Sequence, residues 1–495
     1  MEIPSSAQEQ QMTIATPPTF GTPPTPGIPS CTVAQIRDAE RAALARTPEG
    51  ALMRRAAGEL TTAVLDALDG HVVGRSVVLL VGAGNNGGDA LWAGVALRRR
   101  GGAVTALLTD PARAHPAGAA GLRRVGGRLL DVARADVEKL LAAADVVIDG
   151  LVGLAARPPL REPAASLVRL ANRCAALRVA VDLPSGLDPD SGVATGEIFD
   201  ADVTVTFGGA KPGLLVSTSA GRVVVADLGM APDPAVASVG VLTDQLVAGL
   251  LADPGSGDDK YSGGVVGIVA GSAQYPGAAV LAVGGAVRLR PGMVRYAGPQ
   301  AAAVVQAWPE VVGADDPSRA GRVQAWVVGP GAGTDTAARD RLVTVLAADG
   351  PVLVDADGLT LLAAEPALLE GRRGPLVLTP HEGEFARLFP DLDLTDRLGA
   401  ARAAAASTGA VILLKGHRTV IAAPDGRAYV NTTGSSWLAT AGSGDVLAGV
   451  MGSLLATGID PLLAAAAGAH LHGRAGERAA HDRAAGAHQL WDRLR

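Results

Sequence analysis

Three acidic side chains in the first half of the sequence each follow a short apolar run. They are Asp89 in Asn85-Asn86-Gly87-Gly88-Asp89, Asp149 in Ile148-Asp149-Gly150-Leu151-Val152-Gly153, and Asp182 in Val181-Asp182-Leu183-Pro184-Ser185. A carboxylate at the end of a buried strand can relay a proton, and oxygen donors from Asn, Asp and Ser side chains suit a hard cation rather than a soft metal. The loop Gly82-Ala83-Gly84-Asn85-Asn86-Gly87-Gly88 also offers close backbone approach and free N–H groups to a phosphate. It departs from the dinucleotide fingerprint, because two amides and an aspartate fill it and the next strand ends at Asp110. Read singly, each acid is equally a turn or cap residue, with Asp89 as N-cap of a helix over 89–100. The longest signal lies near the C-terminus, in Asn431-Thr432-Thr433-Gly434 followed by Gly442-Ser443-Gly444-Asp445. Small residues there leave N–H groups free at a helix start to receive a transferring phosphoryl group, and Asp445 beside them can take the proton of an attacking hydroxyl.

Positioning such residues needs strands whose ends converge. Continuous apolar runs at 76–81, 103–108, 146–148, 178–181, 203–207 and 223–226 predict a parallel sheet covered on both faces by helices. The polar Gly/Pro/Asp stretch at 253–259 predicts a boundary, after which strands recur at 265–270, 325–328, 352–354, 376–378 and 411–414. Pro424-Asp425-Gly426 predicts a hairpin between 419–422 and 428–431. The fold class is therefore α/β in two domains: a tail at 1–31, a Rossmann-like doubly wound domain at 32–242, a linker at 243–259, and an α/β/α domain at 260–495.

The motifs of the first half resemble, in order and spacing, those of the YjeF N-terminal family, the NAD(P)H-hydrate epimerases; the fourth is Phe207-Gly208-Gly209-Ala210-Lys211-Pro212-Gly213. The resemblance covers about residues 32–242. It implies a potassium ion at Asn86, Asp149 and Ser185. The hydrated nicotinamide dinucleotide would lie against Asn85, Asn86, Gly87, Gly88 and Asp89, the loop Gly153, Leu154, Ala155, Ala156 and Arg157, and Asp182 as the proton-relaying carboxylate. Ala90 stands where that family usually has glycine, which predicts a methyl narrowing the approach to the ligand, and Leu154-Ala155 replaces a Thr-Gly.

The second half resembles the ribokinase-like fold in the form carried by the NAD(P)H-hydrate dehydratases, from about Lys260 to Gly473. Supporting segments include Gly329-Pro330-Gly331, Asp355-Ala356-Asp357-Gly358, Thr379-Pro380-His381-Glu382-Gly383-Glu384 and Lys415-Gly416-His417-Arg418-Thr419. The resemblance implies nucleotide contacts at Lys415, Gly416, His417, Arg418, Thr419 and Gly444. It implies contacts to the hydrate at Ala282, Gly331, His381 and Asp445, and a magnesium ion on the nucleotide phosphates, with Glu382 and Glu384 as partners. Together the halves imply a two-activity enzyme. One half interconverts the R and S forms of NADH-hydrate and NADPH-hydrate; the other dehydrates the S form with ADP, or ATP, by phosphorylating the ring hydroxyl and expelling phosphate.

Two other readings stay open on the residues alone. The glycine-aspartate motif is shared with vitamin-precursor kinases, which would leave a stable phosphate ester, and the first half could be a binding module without catalysis. His470, His472, His481 and His488 read as side chains of an Ala-rich, solvated terminal helix rather than a metal site. The 43 Lys and Arg against 49 Asp and Glu give a net charge of -6, so no broad basic field exists for nucleic acid. Only two cysteines, Cys31 and Cys174, are present, which fits a reducing cytoplasm, and no apolar run has the length of about 18 residues that a membrane span needs. The expected assembly is a homo-oligomer.

Overall fold

The computed structural model describes residues 30–230, 239–251, 261 and 263–494. The tail up to residue 29, residues 252–259 of the linker, and Lys260 lie outside the described residues.

Seven strands form the first sheet: β1 (Ser76–Val81), β2 (Ala103–Leu108), β3 (Arg128–Asp131), β4 (Val146–Gly150), β5 (Leu177–Val181), β6 (Val203–Phe207) and β7 (Arg222–Ala226). Their order is β3-β2-β1-β4-β5-β6-β7, and every pair is parallel. Alternate side chains of one strand enter different cores. Val77, Leu79 and Val81 pack with the helices Val33–Leu44, Ala51–Ala67 and Asn85–Arg99, whereas Val78 and Leu80 face Leu141, Leu167 and Val168 on the other side. Both faces are therefore dry, which is why these strands read as unbroken apolar runs. The strand order reverses between β1 and β4, opening a crevice at their carboxyl ends.

Ten strands form the second sheet: β8 (Val239–Gly240), β9 (Val265–Val269), β10 (Met293–Ala297), β11 (Val312–Ala314), β12 (Ala325–Val328), β13 (Val352–Val354), β14 (Leu376–Leu378), β15 (Val411–Leu414), β16 (Thr419–Ala422) and β17 (Ala428–Asn431). The order is β11-β10-β9-β12-β13-β14-β15-β16-β17-β8, parallel except for the pairs β15–β16 and β16–β17. β9 and β12 to β15 are again buried on two faces. Val266, Ile268 and Val327 meet the helices Pro276–Arg288, Ser443–Ala456 and Pro461–His481, while Val269, Val328 and Val354 meet the helices Thr336–Leu346 and Arg397–Thr408. β8 pairs with β17, although residues 239–240 fall within the span 32–242 expected for the first domain. One apolar cluster contains residues of both halves, including Ala210, Leu215 and Val216 with Val239, Val241 and Val430.

Candidate functional site

In the first sheet the expected acids meet at adjacent strand ends. Asn86 lies in the first turn of the helix after β1, and its Nδ2 donates to the carbonyls of Val152 (2.8 Å) and Val181 (2.7 Å), tying together the ends of β4 and β5. Asp149 closes β4 and accepts from the Ser185 backbone N (2.8 Å), the Ser185 Oγ (2.7 Å) and the Leu151 N (3.2 Å). Burial pushes the Asp149 carboxyl up to about 6 against these hydrogen bonds. Asp182 follows β5 at φ 66°, a left-handed conformation that costs a non-glycine residue strain. Its Oδ1 accepts from Thr206 Oγ1 (3.1 Å), the Phe207 N (3.2 Å) and Lys211 Nζ. Burial, and then the negative charges of Asp182 and Glu40, raise the Asp89 carboxyl well above the usual carboxylate range.

The loop around these acids differs from expectation in three ways. The helix starts at Asn85 rather than Asp89, with Gly84 as its N-cap residue, so Asp89 is a buried side chain inside the helix and not its cap. Gly87 is required by close packing, since a Cβ there would lie 2.3 Å from the Gly82 carbonyl oxygen. The Ala90 methyl faces Gly150 of β4 and is fully buried, so it does not narrow the ligand's approach. Gly87 and Gly88 are likewise buried. Gly153 abuts the Asn86 amide oxygen, while Leu154 packs against the cluster of Leu183, Leu187 and Leu214. Ala155 is exposed, and Ala156 and Arg157 lie at the surface, Arg157 reaching Asp188 at 3.5 Å.

The second sheet brings its candidates to the same kind of edge. Asp355 follows β13, His381 follows β14 and Lys415 follows β15, while the helix Ser443–Ala456 presents its first turn to them. Lys415 Nζ, on a side chain 22% exposed, lies 2.7 Å from Asp355 Oδ1 and 3.7 Å from Glu384 Oε2. It also lies about one van der Waals contact from Gly444, 4.0 Å from where a Cβ would sit. Asp445 is partly buried in that first turn. Burial, followed by the negative charges of Asp355 and Asp357 and opposed by Lys415, pushes its carboxyl up to about 7. A cavity of about 560 Å³ opens beside it, lined by Lys415, Gly416, His417, Thr419, Gly444 and His381 among others. That volume suits a nucleotide.

Some expected residues have other occupations. Arg418 donates to the Thr432 carbonyl (3.1 Å) and does not line the cavity. Glu382 pairs with Arg397, and Glu384 accepts from the His381 backbone N (2.8 Å) while His381 Nδ1 accepts from the Gly383 and Glu384 N–H groups. His381 thus caps the helix Glu382–Leu388, with its Nε2 3.5 Å from Glu384 Oε1 and its side chain 56% exposed. Gly331, at φ 56°, packs against Ala278 and Tyr275. Ala282 is fully buried in the contact between two helices, its carbonyl against Gly449.

Three groups were overlooked or misread in the sequence. Lys211 and Asp355 stood inside quoted motifs without a role. Their signal was position, each being a charged residue close after an apolar strand. His470 and His472 are buried rather than solvated. His472 Nε2 donates to the Ser443 carbonyl (2.9 Å), which fixes its neutral tautomer; burial lowers it to about 4, and the Lys415 charge adds to that. Among the described residues no cluster of three His, Cys, Asp or Glu side chains could hold a metal by itself, and no helix is long and apolar enough to cross a membrane.

Two family models match the chain, YjeF-related protein N-terminus over residues 49–213 and NAD(P)H-hydrate dehydratase over residues 266–494. The bifunctional NAD(P)H-hydrate repair enzyme Nnr of Mycobacterium tuberculosis (strain CDC 1551 / Oshkosh) is 52% identical over 413 residues, covering 83% of this chain and 85% of that protein. The chain belongs to the family of bifunctional NAD(P)H-hydrate repair enzymes. The Mycobacterium leprae (strain TN) member is 49% identical over 455 residues, covering 91% of this chain and 94% of that protein. A solved ADP/ATP-dependent NAD(P)H-hydrate dehydratase from Bacillus subtilis, co-crystallised with ATP/Mg2+, matches at a TM-score of 0.46 and 31% identity. The match covers 51% of this chain and 95% of that one. The smaller sheet of this repair enzyme thus lies in the epimerase region and the larger in the dehydratase region.

Proposed function

We propose that the crevice of the smaller sheet interconverts the R and S forms of NADH-hydrate and NADPH-hydrate, and that the cavity of the larger sheet receives ADP, or ATP in its place, to dehydrate the S form. What carries this reading is that one chain holds two separate strand-end sites, the Asn86–Asp149–Asp182 crevice and the Lys415–Asp445 cavity. Asp182 relays the proton as the ring hydroxyl leaves and returns, with Asn85 to Asp89 and the loop from Gly153 to Arg157 against the dinucleotide. In the other half Asp445 takes the proton of the ring hydroxyl as its oxygen attacks the terminal phosphorus of the nucleotide. The shortened nucleotide departs. Hydroxide is a poor leaving group, but the resulting phosphate leaves readily as the ring nitrogen pushes in its electrons. Loss of a proton then restores NADH or NADPH. Lys415, Gly416, His417, Thr419 and Gly444 contact the nucleotide, and His381 contributes to the hydrate's side of the cavity.

Both implied metals fit the residues present. Asn86, Asp149 and Ser185 offer only oxygen, and the buried Asp149 has no cationic side chain bonded to it among the described residues, so a potassium ion would balance its charge. The ammonium of Lys415 faces the carboxylates of Asp355, Glu384 and Asp445, an acidic surplus that would suit a magnesium ion carried on nucleotide phosphates. When bound, magnesium would neutralise negative charge on the nucleotide phosphates as it develops.

The test supplies each hydrate epimer separately, with ADP, with ATP, or with no nucleotide, and follows the reduced-nicotinamide absorbance. Full recovery from either epimer is expected with ADP, and interconversion without recovery in its absence. Accumulation of a stable phosphate ester with no recovered coenzyme would favour the vitamin-precursor kinase reading and sink this one.

A further inference from the structure

Asp182 uses its two carboxylate oxygens unequally. Oδ1 accepts three hydrogen bonds, from Thr206 Oγ1, the Phe207 N and Lys211 Nζ, while among the described residues Oδ2 accepts none and is left open. The donors are themselves fixed. Lys211 is 0% exposed and spends its protons inside the protein, donating also to Thr206 Oγ1 (2.8 Å) and to the Phe207 carbonyl (3.2 Å). Thr206 Oγ1 accepts from Lys211, so its own proton must go to Asp182, and the direction of each bond in this triangle is set. Backbone geometry adds to this, since Asp182 is held at φ 66° by its N–H bond to the Val205 carbonyl (2.7 Å). Burying an ammonium completely is costly, and no core-filling need explains a lysine where a leucine would pack.

We infer that Lys211 is a positioning residue for epimerisation: with Thr206 it locks one oxygen of Asp182 and supplies its counter-charge, so that only Oδ2 faces the hydrated ring. A relay carboxylate must give and take the proton at one place while the ring exchanges faces. A carboxylate free to rotate would present either oxygen in several orientations, and turnover would fall although binding survived. Lys211 does not touch the substrate. It acts through Asp182, and the inference rests on the reading of Asp182 as the proton relay.

The experiment measures conversion of R-NADH-hydrate to the S form without nucleotide, by chromatographic separation of the epimers, on the full-length chain. The chemical-denaturation transition of the epimerase half checks that each variant is folded, and dehydration of S-NADH-hydrate with ADP serves as an internal control on the other half. Lys211→Met is expected to lower epimerase kcat by about 100-fold with KM within about three-fold of the wild type, and to leave dehydration unchanged. Thr206→Val should lower kcat by about ten-fold, and Thr206→Ser, which keeps the hydroxyl, should restore it. If Lys211→Met fails to fold, the Thr206 pair decides alone. Asp182→Asn runs in parallel. Should it keep full turnover, the relay reading itself is wrong; should it be inactive while Lys211→Met and Thr206→Val turn over like the wild type, the positioning role alone is overturned.

Discussion

At the scale of single residues, the dehydratase half turns on one carboxyl moved by its surroundings. Burial and the charges of Asp355 and Asp357 raise Asp445 to about 7, so below that pH it carries a proton and can accept none. Dehydratase kcat/KM is therefore expected to rise with pH through a limb centred near 7, and Asp445→Asn to abolish the limb with a loss of about 1,000-fold, epimerase being unchanged. The same shift has a stability consequence. A folded-state value above the unfolded one means the folded chain binds the proton more tightly, so stability falls as pH rises from about 4 to about 7. Asp445→Asn should then unfold at higher denaturant concentration than wild type at pH 8 and about equally at pH 4. A wild-type midpoint equal to the variant's at pH 8, or an activity profile flat across pH 6 to 8, contradicts the assignment. Residues of this kind were legible because strand ends and glycine-flanked acids announce themselves in the sequence. What stayed hidden was the second layer. Nothing in the spacing says that Lys211 turns inward to Asp182, that His472 reaches back to Ser443, or that the Ala90 methyl points at Gly150 rather than at a ligand.

Elements position those residues through contacts tight enough to read as glycine requirements. The helix Ser443–Ala456, which carries Gly444 and Asp445 in its first turn, crosses the helix Pro276–Arg288 so closely that a Cβ on Gly449 would lie 1.8 Å from the Ala282 carbonyl oxygen. A Cβ on Gly285 would lie 2.3 Å from the Val446 carbonyl oxygen. Backbone cannot yield as a side-chain tip can, so Gly449→Ala must displace the helix and its first turn together. We expect it to cost about 1–3 kcal/mol in chemical denaturation and to lower dehydratase kcat by at least about ten-fold. The comparison is Gly58→Ala, in the helix Ala51–Ala67, where nothing lies within 4 Å and stability should hold or rise. Unchanged stability and kcat in Gly449→Ala would show that the helix pair has slack. The same tightness explains why elements were read well from sequence at the centre of each sheet and poorly at its rims. Residues 76–81, 325–328 and 411–414 are buried on two faces and show uninterrupted apolar runs. β3, β10 and β11 lie towards an edge of their sheets, with partly exposed side chains such as Arg128, Arg295 and Val312, and β8 is only two residues long, so none of them carries that signature.

For the whole molecule, the place where the chain passes from one sheet to the other decides what each half can do alone. A polar, glycine-rich stretch marks a boundary by composition, yet packing begins earlier than that stretch. β8 extends the larger sheet beside β17, and Leu242 and Val247 enter the core beneath the helix Pro461–His481. Asp244 then receives His470 Nε2 (2.6 Å) and both Arg474 Nε and Nη2 (2.8 Å each), which holds its carboxyl down at about 2. Through Arg474, Glu477 and the Gly434 N–H, this segment also braces one wall of the nucleotide cavity. We propose that the dehydratase unit includes the chain from Val239 onward rather than beginning after the polar stretch. A fragment of residues 239–495 should fold and dehydrate S-NADH-hydrate with ADP, whereas residues 261–495 should lose several kcal/mol, since each buried Val or Leu removed contributes about 1.5–3 kcal/mol as an upper estimate. Denaturation midpoints of the two fragments, with dehydratase KM for ADP, test this directly. Equal midpoints and equal KM would mean that residues 239–251 merely lie against the unit and do not complete it. A raised KM in the shorter fragment would instead tie the passage between the halves to the wall against which the nucleotide rests.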